Sequence, residues 1–187
     1  MVKVSSSMLA LGTPAPQFSL LDVTTDSIVS LNESHNYAAT VVMFICNHCP
    51  YVKHVNGELT RLANDYMAQN VRFLAINSND IDNYPDDSPE NMKKTATEQG
   101  YPFPYLFDET QEVARAYQAA CTPDFFIFDK SLALVYRGQL DHSRPGNQIP
   151  VDGSSVRGAL DSLLANRPVS TDQKPSLGCN IKWKETF

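Results

Sequence analysis

Between Thr40 and Ile45 the chain reads Thr-Val-Val-Met-Phe-Ile, a β-branched and apolar run without a charge that ends directly at Cys46. Such a run suits a strand covered on both faces. The period then changes. From Cys49 to Met67 the residues Val52, Val55, Leu59, Leu62, Ala63 and Tyr66 recur at steps of three and four, predicting an amphipathic helix despite Gly57. A strand-to-helix junction therefore falls on Cys46-Asn47-His48-Cys49.

Further along, Val71 to Ile76 reads as a second strand, and Ser88 before Pro89 as the cap of a helix reaching about Gln99 and closed by Gly100. Tyr105 to Asp108 predicts a short strand, Glu109 to Ala120 a helix, and Phe125 to Phe128 a strand. Leu132 to Tyr136 is its antiparallel partner across Asp129-Lys130-Ser131, and a final helix runs from Ser154 or Ser155 to Asn166. Upstream, turn signals at Gly12, Pro14 and Pro16 precede Phe18 to Leu21 and Ile28 to Leu31, a β-hairpin laid before the main fold. Strands alternating with helices in this order predict an α/β fold, a mixed sheet flanked by helices.

With 187 residues, 42% of them hydrophobic, the chain is expected to form a single domain over 1–187, its core about 11–166 and its tail 167–187. A net charge of −6 with scattered Lys and Arg leaves no basic stripe, so neither nucleic acid nor a membrane surface is an expected partner. The N-terminus lacks the apolar run of a signal peptide, and nothing approaches the roughly 18 apolar residues of a membrane span, so a cytoplasmic location is expected. The acidic stretch from Asp80 to Glu90 lacks the central glycine of a calcium loop and reads as solvated.

Four cysteines are too few for a disulfide scaffold, which turns attention to the close pair Cys46 and Cys49. In the first turn of a helix a C-x-x-C pair meets the Cα separation of a disulfide without backbone movement. Helix N-terminal N–H groups favour a thiolate, and a protonated His48 would add to this, so Cys46 is expected to ionise well below an ordinary cysteine and the disulfide to be oxidising. Other readings stay open: His48 facing solvent, or a buried structural or metal-bound couple in which Cys46, Cys49, Cys121 and Cys179 with His48 or His54 supply soft ligands. The last lacks a second close pair, and no metal or other cofactor is expected.

The segment Phe44-Ile45-Cys46-Asn47-His48-Cys49-Pro50 resembles the active-site turn of the thioredoxin superfamily, and Cys121-Thr122-Pro123-Asp124-Phe125-Phe126-Ile127-Phe128-Asp129 resembles its cis-proline strand. Leu11 to Leu20 is similar to the start of the peroxiredoxin and alkyl-hydroperoxide-reductase branch. Arg137-Gly138 with Asp141 to Asn147 resembles a peroxiredoxin-like subgroup that keeps a C-x-x-C pair; the likeness spans roughly residues 11 to 184. The resemblance implies a thioredoxin-like three-layer fold and a thiol–disulfide oxidoreductase whose site comprises Cys46, His48, Cys49, Thr122 and Pro123. The Thr122-Pro123 bond would be cis and would offer backbone to a strand-like substrate. The implied partners are a protein or low-molecular-weight thiol or disulfide and an external dithiol reductant.

Departures from the pattern open two alternatives, a weak thiol-dependent peroxidase and a non-enzymatic redox sensor. Aligned on Cys49, the peroxiredoxin pattern P-x-x-x-T-x-x-C finds Val42 in place of the proline and Cys46 in place of the threonine. Thioredoxins differ too: Ile45 replaces a tryptophan, and no carboxylate lies on the strand from Thr40 to Ile45 to take a proton from Cys49. Cys121 and Cys179 are possible auxiliary thiols. Cys121 beside the proline is either a third thiol or a small apolar filler. Cys179, in a tail with Trp183, either folds back as a resolving partner for Cys49 or lies in a tail docked for stability or dimerisation.

Overall fold

The computed structural model describes residues 2–32 and 36–185; Met1, positions 33–35 and the last two positions, parts of the predicted opening segment and tail, lie outside the described residues. The chain begins with β1 (Lys3–Ser5) and continues into the expected hairpin, β2 (Phe18–Asp22) and β3 (Ser27–Leu31), with Phe18 opposite Leu31 and Asp22 opposite Ser27. Asp22 forms the turn by accepting hydrogen bonds from the Thr24 N–H and from the hydroxyls of Thr24 and Thr25.

The apolar run becomes β4 (Ala39–Phe44), buried at every position, and the three-and-four periodicity becomes α1 (Pro50–Met67) with Cys49 as its N-cap. Next come β5 (Val71–Asn77) and α2 (Pro89–Gln99). Ser88 caps α2 by accepting from the Asn91 N–H, and Gly100 closes it in the left-handed region, as the sequence predicts. β6 (Tyr105–Phe107) leads to α3 (Glu112–Ala116), which is shorter than the helix expected from Glu109 to Ala120. Gln111 at φ 63° delays its start, where the Asp108 carboxylate takes the N–H groups of Val113 and Ala114, and Gln118 at φ 52° ends it. The last elements are β7 (Cys121–Thr122), β8 (Asp124–Asp129), β9 (Leu134–Gly138), α4 (Ser154–Leu164) and β10 (Leu177–Asn180).

Seven strands form one sheet in the order β3-β2-β6-β5-β4-β8-β9, with β4 parallel to β5 and antiparallel to β8. Alternation along β4 splits the core. Val41 and Met43 pack with Val52, Leu59 and Leu62 of α1, whereas Val42 and Phe44 pack with Leu74, Phe126 and Tyr117 on the other face. This is the three-layer α/β arrangement with its hairpin extension. A second small sheet, β1-β10-β7, was not foreseen: three strands of two to four residues are too short for alternation to register.

Two expectations are corrected. Part of the tail is strand β10, built into the molecule between β1 and β7. The acidic stretch is not uniformly solvated, since Asp80 and Asp87 are 3% and 0% exposed; both carboxylates accept hydrogen bonds inside their own loop. Among the described residues no helix is long and apolar enough to cross a membrane.

Candidate active site

β4 delivers the chain to the site: the Ile45 N–H still bonds to the Ile76 carbonyl of β5, and Cys46 follows immediately. Pro50 then starts α1, fixing Cys49 at the amino end of the helix. Opposite stands a cis Thr122-Pro123 bond, as the family likeness implied. Cys46 Sγ lies 3.2 Å from Thr122 Oγ1, and Cys49 Sγ lies 3.2 Å from the Thr122 carbonyl oxygen. Cys179, on β10, places its Sγ 2.8 Å from Cys49 Sγ. Five of the residues read from sequence thus converge: Cys46, Cys49, Thr122, Pro123 and Cys179. All four cysteines are buried, Cys46 retaining 2% exposure and Cys49 none. Cys121 is fully buried with its thiol 3.8 Å from the Pro123 carbonyl, and burial pushes its ionisation far up.

The charge falls on a different sulfur from the one expected. Cys49 is lowered from 9.0 to about 5, chiefly because Cys46 donates its S–H to it; burial works against this, and the Cys179 thiol with the backbone N–H groups of Val52 and Cys179 adds to it. Cys46 is raised well above the ordinary value by that same donation, then by burial and by the charges of Asp87 and Cys49, while the Thr122 hydroxyl pulls the other way. Cys179 is pushed up to about 12 by burial first and then by its bond to Cys49. The expectation of an acidic Cys46 is therefore corrected: one negative charge rests on Cys49, held by two neighbouring thiols and the start of α1.

His48 does not face solvent. Its Nδ1 is 2.6 Å from Asp87 Oδ2, and its ring stacks on Tyr84 at 5.7 Å between centroids. Asp87 also accepts from the Asn47 N–H and the Asn79 side-chain amide, each at 2.7 Å. Burial raises this carboxyl, but its donors, His48 foremost, outweigh that and hold it below the usual carboxylate range. The Tyr105 hydroxyl donates to Asn47 Oδ1 at 3.0 Å and so pins the turn between the cysteines. Donor atoms of Cys46, His48 and Asp87 lie within 4.8 Å of one another, a set of types that zinc accepts, although Asp87 Oδ2 already serves His48 and Asn79.

Asp87 and Asp124 are the residues sequence reading missed. Asp87 arrives from a loop of ordinary acidic composition, so nothing in the pattern marks it. Asp124 follows the cis proline and sits opposite Phe44, fully buried, with burial raising its carboxyl well above the usual range. It lies on β8, the neighbour of β4, and its charge bears on Cys121. A polar cleft of about 550 Å³, lined by Asn47, His48, Lys53, Asn56, Asp86 and Lys94, opens beside the cysteine turn.

Residues 11–137 match the model of the AhpC/TSA family, well over half of the chain. The chain belongs to the AhpC/TSA family. An uncharacterized conserved protein from Geobacillus kaustophilus is 64% identical, with a TM-score of 0.97, covering 100% of this chain and 99% of that one. A hypothetical protein from Sinorhizobium meliloti 1021 is 43% identical, with a TM-score of 0.95 over 97% and 99%. The thioredoxin domain of a thiol-disulfide oxidoreductase from Bacteroides vulgatus, 19% identical, shares the fold with a TM-score of 0.60 over 70% and 89%. No curated protein sequence matches. The fold of this AhpC/TSA protein is thioredoxin-like, and its family membership supports a thiol redox function.

Proposed function

We propose that this AhpC/TSA-family protein is a thiol–disulfide oxidoreductase in which Cys46 and Cys49 cycle between dithiol and disulfide. The observation that carries this reading is the pair at the start of α1 facing the cis Thr122-Pro123 bond, with both Thr122 oxygens 3.2 Å from the sulfurs. Cys46 and Cys49 share one proton along their hydrogen bond, so either sulfur can become the thiolate. Cys46 is followed directly by Asn47 and His48, which line the polar cleft, and retains 2% exposure against none at Cys49, which favours it as the sulfur that meets a target. It attacks one sulfur of the target disulfide, passing its proton to Cys49, and the first target thiolate leaves. Cys49, after yielding that proton to the leaving thiolate, attacks Cys46 Sγ; the second target thiolate departs and the Cys46–Cys49 disulfide remains. Holding both sulfurs on one rigid turn gives the second step the advantage of an intramolecular reaction. An external dithiol returns two electrons and two protons.

A mixed-disulfide trap tests the scheme. With Cys49→Ser, a small aromatic disulfide should leave one half attached to Cys46, readable by mass, and Cys46→Ser should abolish turnover. Equal turnover in Cys46→Ser and wild type would remove Cys46 from the chemistry.

A second reading, a weak peroxidase at Cys49, is favoured by the negative charge on that sulfur. Against speed stand its complete burial and the residues Val42 and Cys46 at the positions of the peroxide-orienting proline and threonine. Peroxide consumption with a sulfenic acid trapped at Cys49 in Cys46→Ser combined with Cys179→Ser would support it; an inert variant would dismiss it.

A further inference from the structure

β10 occupies the edge at which a strand-like substrate would meet the cis proline. It runs antiparallel to β7, with Cys179 opposite Thr122 and Asn180 opposite Cys121. The approach is close enough that a Cβ on Gly178 would come within 2.0 Å of the Thr122 carbonyl oxygen, so only glycine fits there. The segment is also fastened beyond the strand. The Lys182 N–H donates to Asn79 Oδ1 at 2.8 Å, the Lys182 carbonyl accepts from Gln111, and Arg115 lies 4.6 Å from the centre of the Trp183 ring. Asn79 is the residue whose amide supports Asp87, which ties the tail to the His48 side of the site.

We propose that Cys179 is the third redox thiol of this site, and that the strand carrying it acts as a built-in substrate for the cysteine pair. The inference rests on the Cys46–Cys49 disulfide proposed above. Once that disulfide has formed, the Cys179 thiolate attacks Cys49 Sγ at the position it already holds. The Cys49–Cys179 bond forms, the Cys46–Cys49 bond breaks, and Cys46 leaves as a thiolate that takes up the proton Cys179 gave. No net electrons move. The disulfide passes from the cleft side to the tail side of Cys49, and Cys46 is again able to attack. While β10 stays paired, an external peptide strand has no place on this edge, which directs small hydrophilic disulfides through the cleft at His48 and excludes extended polypeptides.

The test uses the full-length protein, reduced and then treated with a small aromatic disulfide in slight excess. Remaining thiols are alkylated in acid and non-reducing peptide maps identify the bonds. In wild type the Cys49–Cys179 peptide pair should appear, with alkylation of Cys179 lost and Cys46 alkylated; Cys46→Ser, which lacks the sulfur that attacks the reagent, should form no such bond. Cys179→Ala should confine oxidation to Cys46–Cys49, with Cys179→Ser as the second variant should the alanine fail to fold. A Cys46–Cys49 disulfide in wild type with Cys179 fully alkylated overturns the third-thiol proposal and leaves the proposed function standing, and a Cys49–Cys179 bond formed as readily in Cys46→Ser overturns the route through Cys46. Absence of Cys46–Cys49 in the Cys179 variants overturns the proposed function itself.

Discussion

The charge on Cys49 makes the reduced protein's stability depend on pH in a direction that can be worked out. Its thiol is lowered from 9.0 to about 5 on folding. Between those values the unfolded chain keeps the proton and the folded chain does not, so folding releases a proton and stability rises with pH. The contribution is complete above about 9 and is lost as pH falls through about 5. One proton sets a ceiling of about 1.4 kcal/mol per pH unit, so raising the pH from about 6 to about 8 should add about 2–3 kcal/mol. At a urea dependence of about 2 kcal/mol/M, the unfolding midpoint should move up by about 1 M. Other groups act too. The raised thiols of Cys46 and Cys179 oppose the trend above the window, and Asp124, raised by burial, opposes it from the carboxylate range upward. The Asp124 contribution remains in Cys49→Ala, and the two thiols, whose shifts depend on Cys49, act only above the window, so the quantity to measure is the pH slope between about 6 and about 8 of wild type minus that of the variant, both fully reduced. Equal slopes, or a thiolate absorbance titration in which no cysteine ionises below neutral pH, would refute the assignment of charge to Cys49.

Three further outcomes can be checked. Leu62→Ala removes a fully buried side chain from the contact between α1 and the sheet and should cost about 2–5 kcal/mol in urea unfolding, with the disulfide chemistry of the folded protein retained. Asp87→Asn removes the charge that raises Cys46 and leaves one acceptor oxygen for the three groups that donate to Asp87, so Cys46 should titrate at lower pH and stability should fall by about 1–3 kcal/mol; an unmoved Cys46 titration counts against the Asp87 account. Gly178→Ala should force β10 off β7, seen as faster proteolysis of the tail and faster alkylation of Cys179 in native protein; wild-type rates would show that the close approach to Thr122 is dispensable.

The fold was legible where burial imposes a period. The two-faced run of β4 and the stripe of Val52, Val55, Leu59 and Leu62 each have one arrangement that buries them, and the strand-to-helix junction carrying the cysteines follows from their adjacency. Ser88 and Gly100 were readable because capping is local chemistry. What escaped was set by tertiary contact. β7 and β10 are held by each other and by β1, with too few residues to show a pattern. Asp87 looked like any loop acid because its meaning lies in the four groups around it: Asn47, His48, Asn79 and the Cys46 sulfur whose proton it influences. Cys46 was expected to be the acidic thiol from helix geometry and a neighbouring imidazole, but Cys49 is the cap residue, and the side chains that donate to it come from positions 46 and 179.

That last point bears on why a sulfur stands at position 46, where the family pattern has a hydroxyl. A threonine there could donate to a Cys49 thiolate and hold its charge, but it could not capture that sulfur once oxidised. Here both side chains that donate to Cys49 are thiols. Each is already placed where a bond to Cys49 would lie, so losing the charge by oxidation exchanges a hydrogen bond for a covalent one on the same rigid frame. The buried position of Cys49 slows the arrival of a third reactant such as peroxide, whereas its two sulfur neighbours need no arrival at all. A sulfenic acid formed at Cys49 would therefore be captured as a disulfide instead of persisting, so it is the burial of Cys49, and not its sulfur neighbours, that weighs against peroxide as the oxidant.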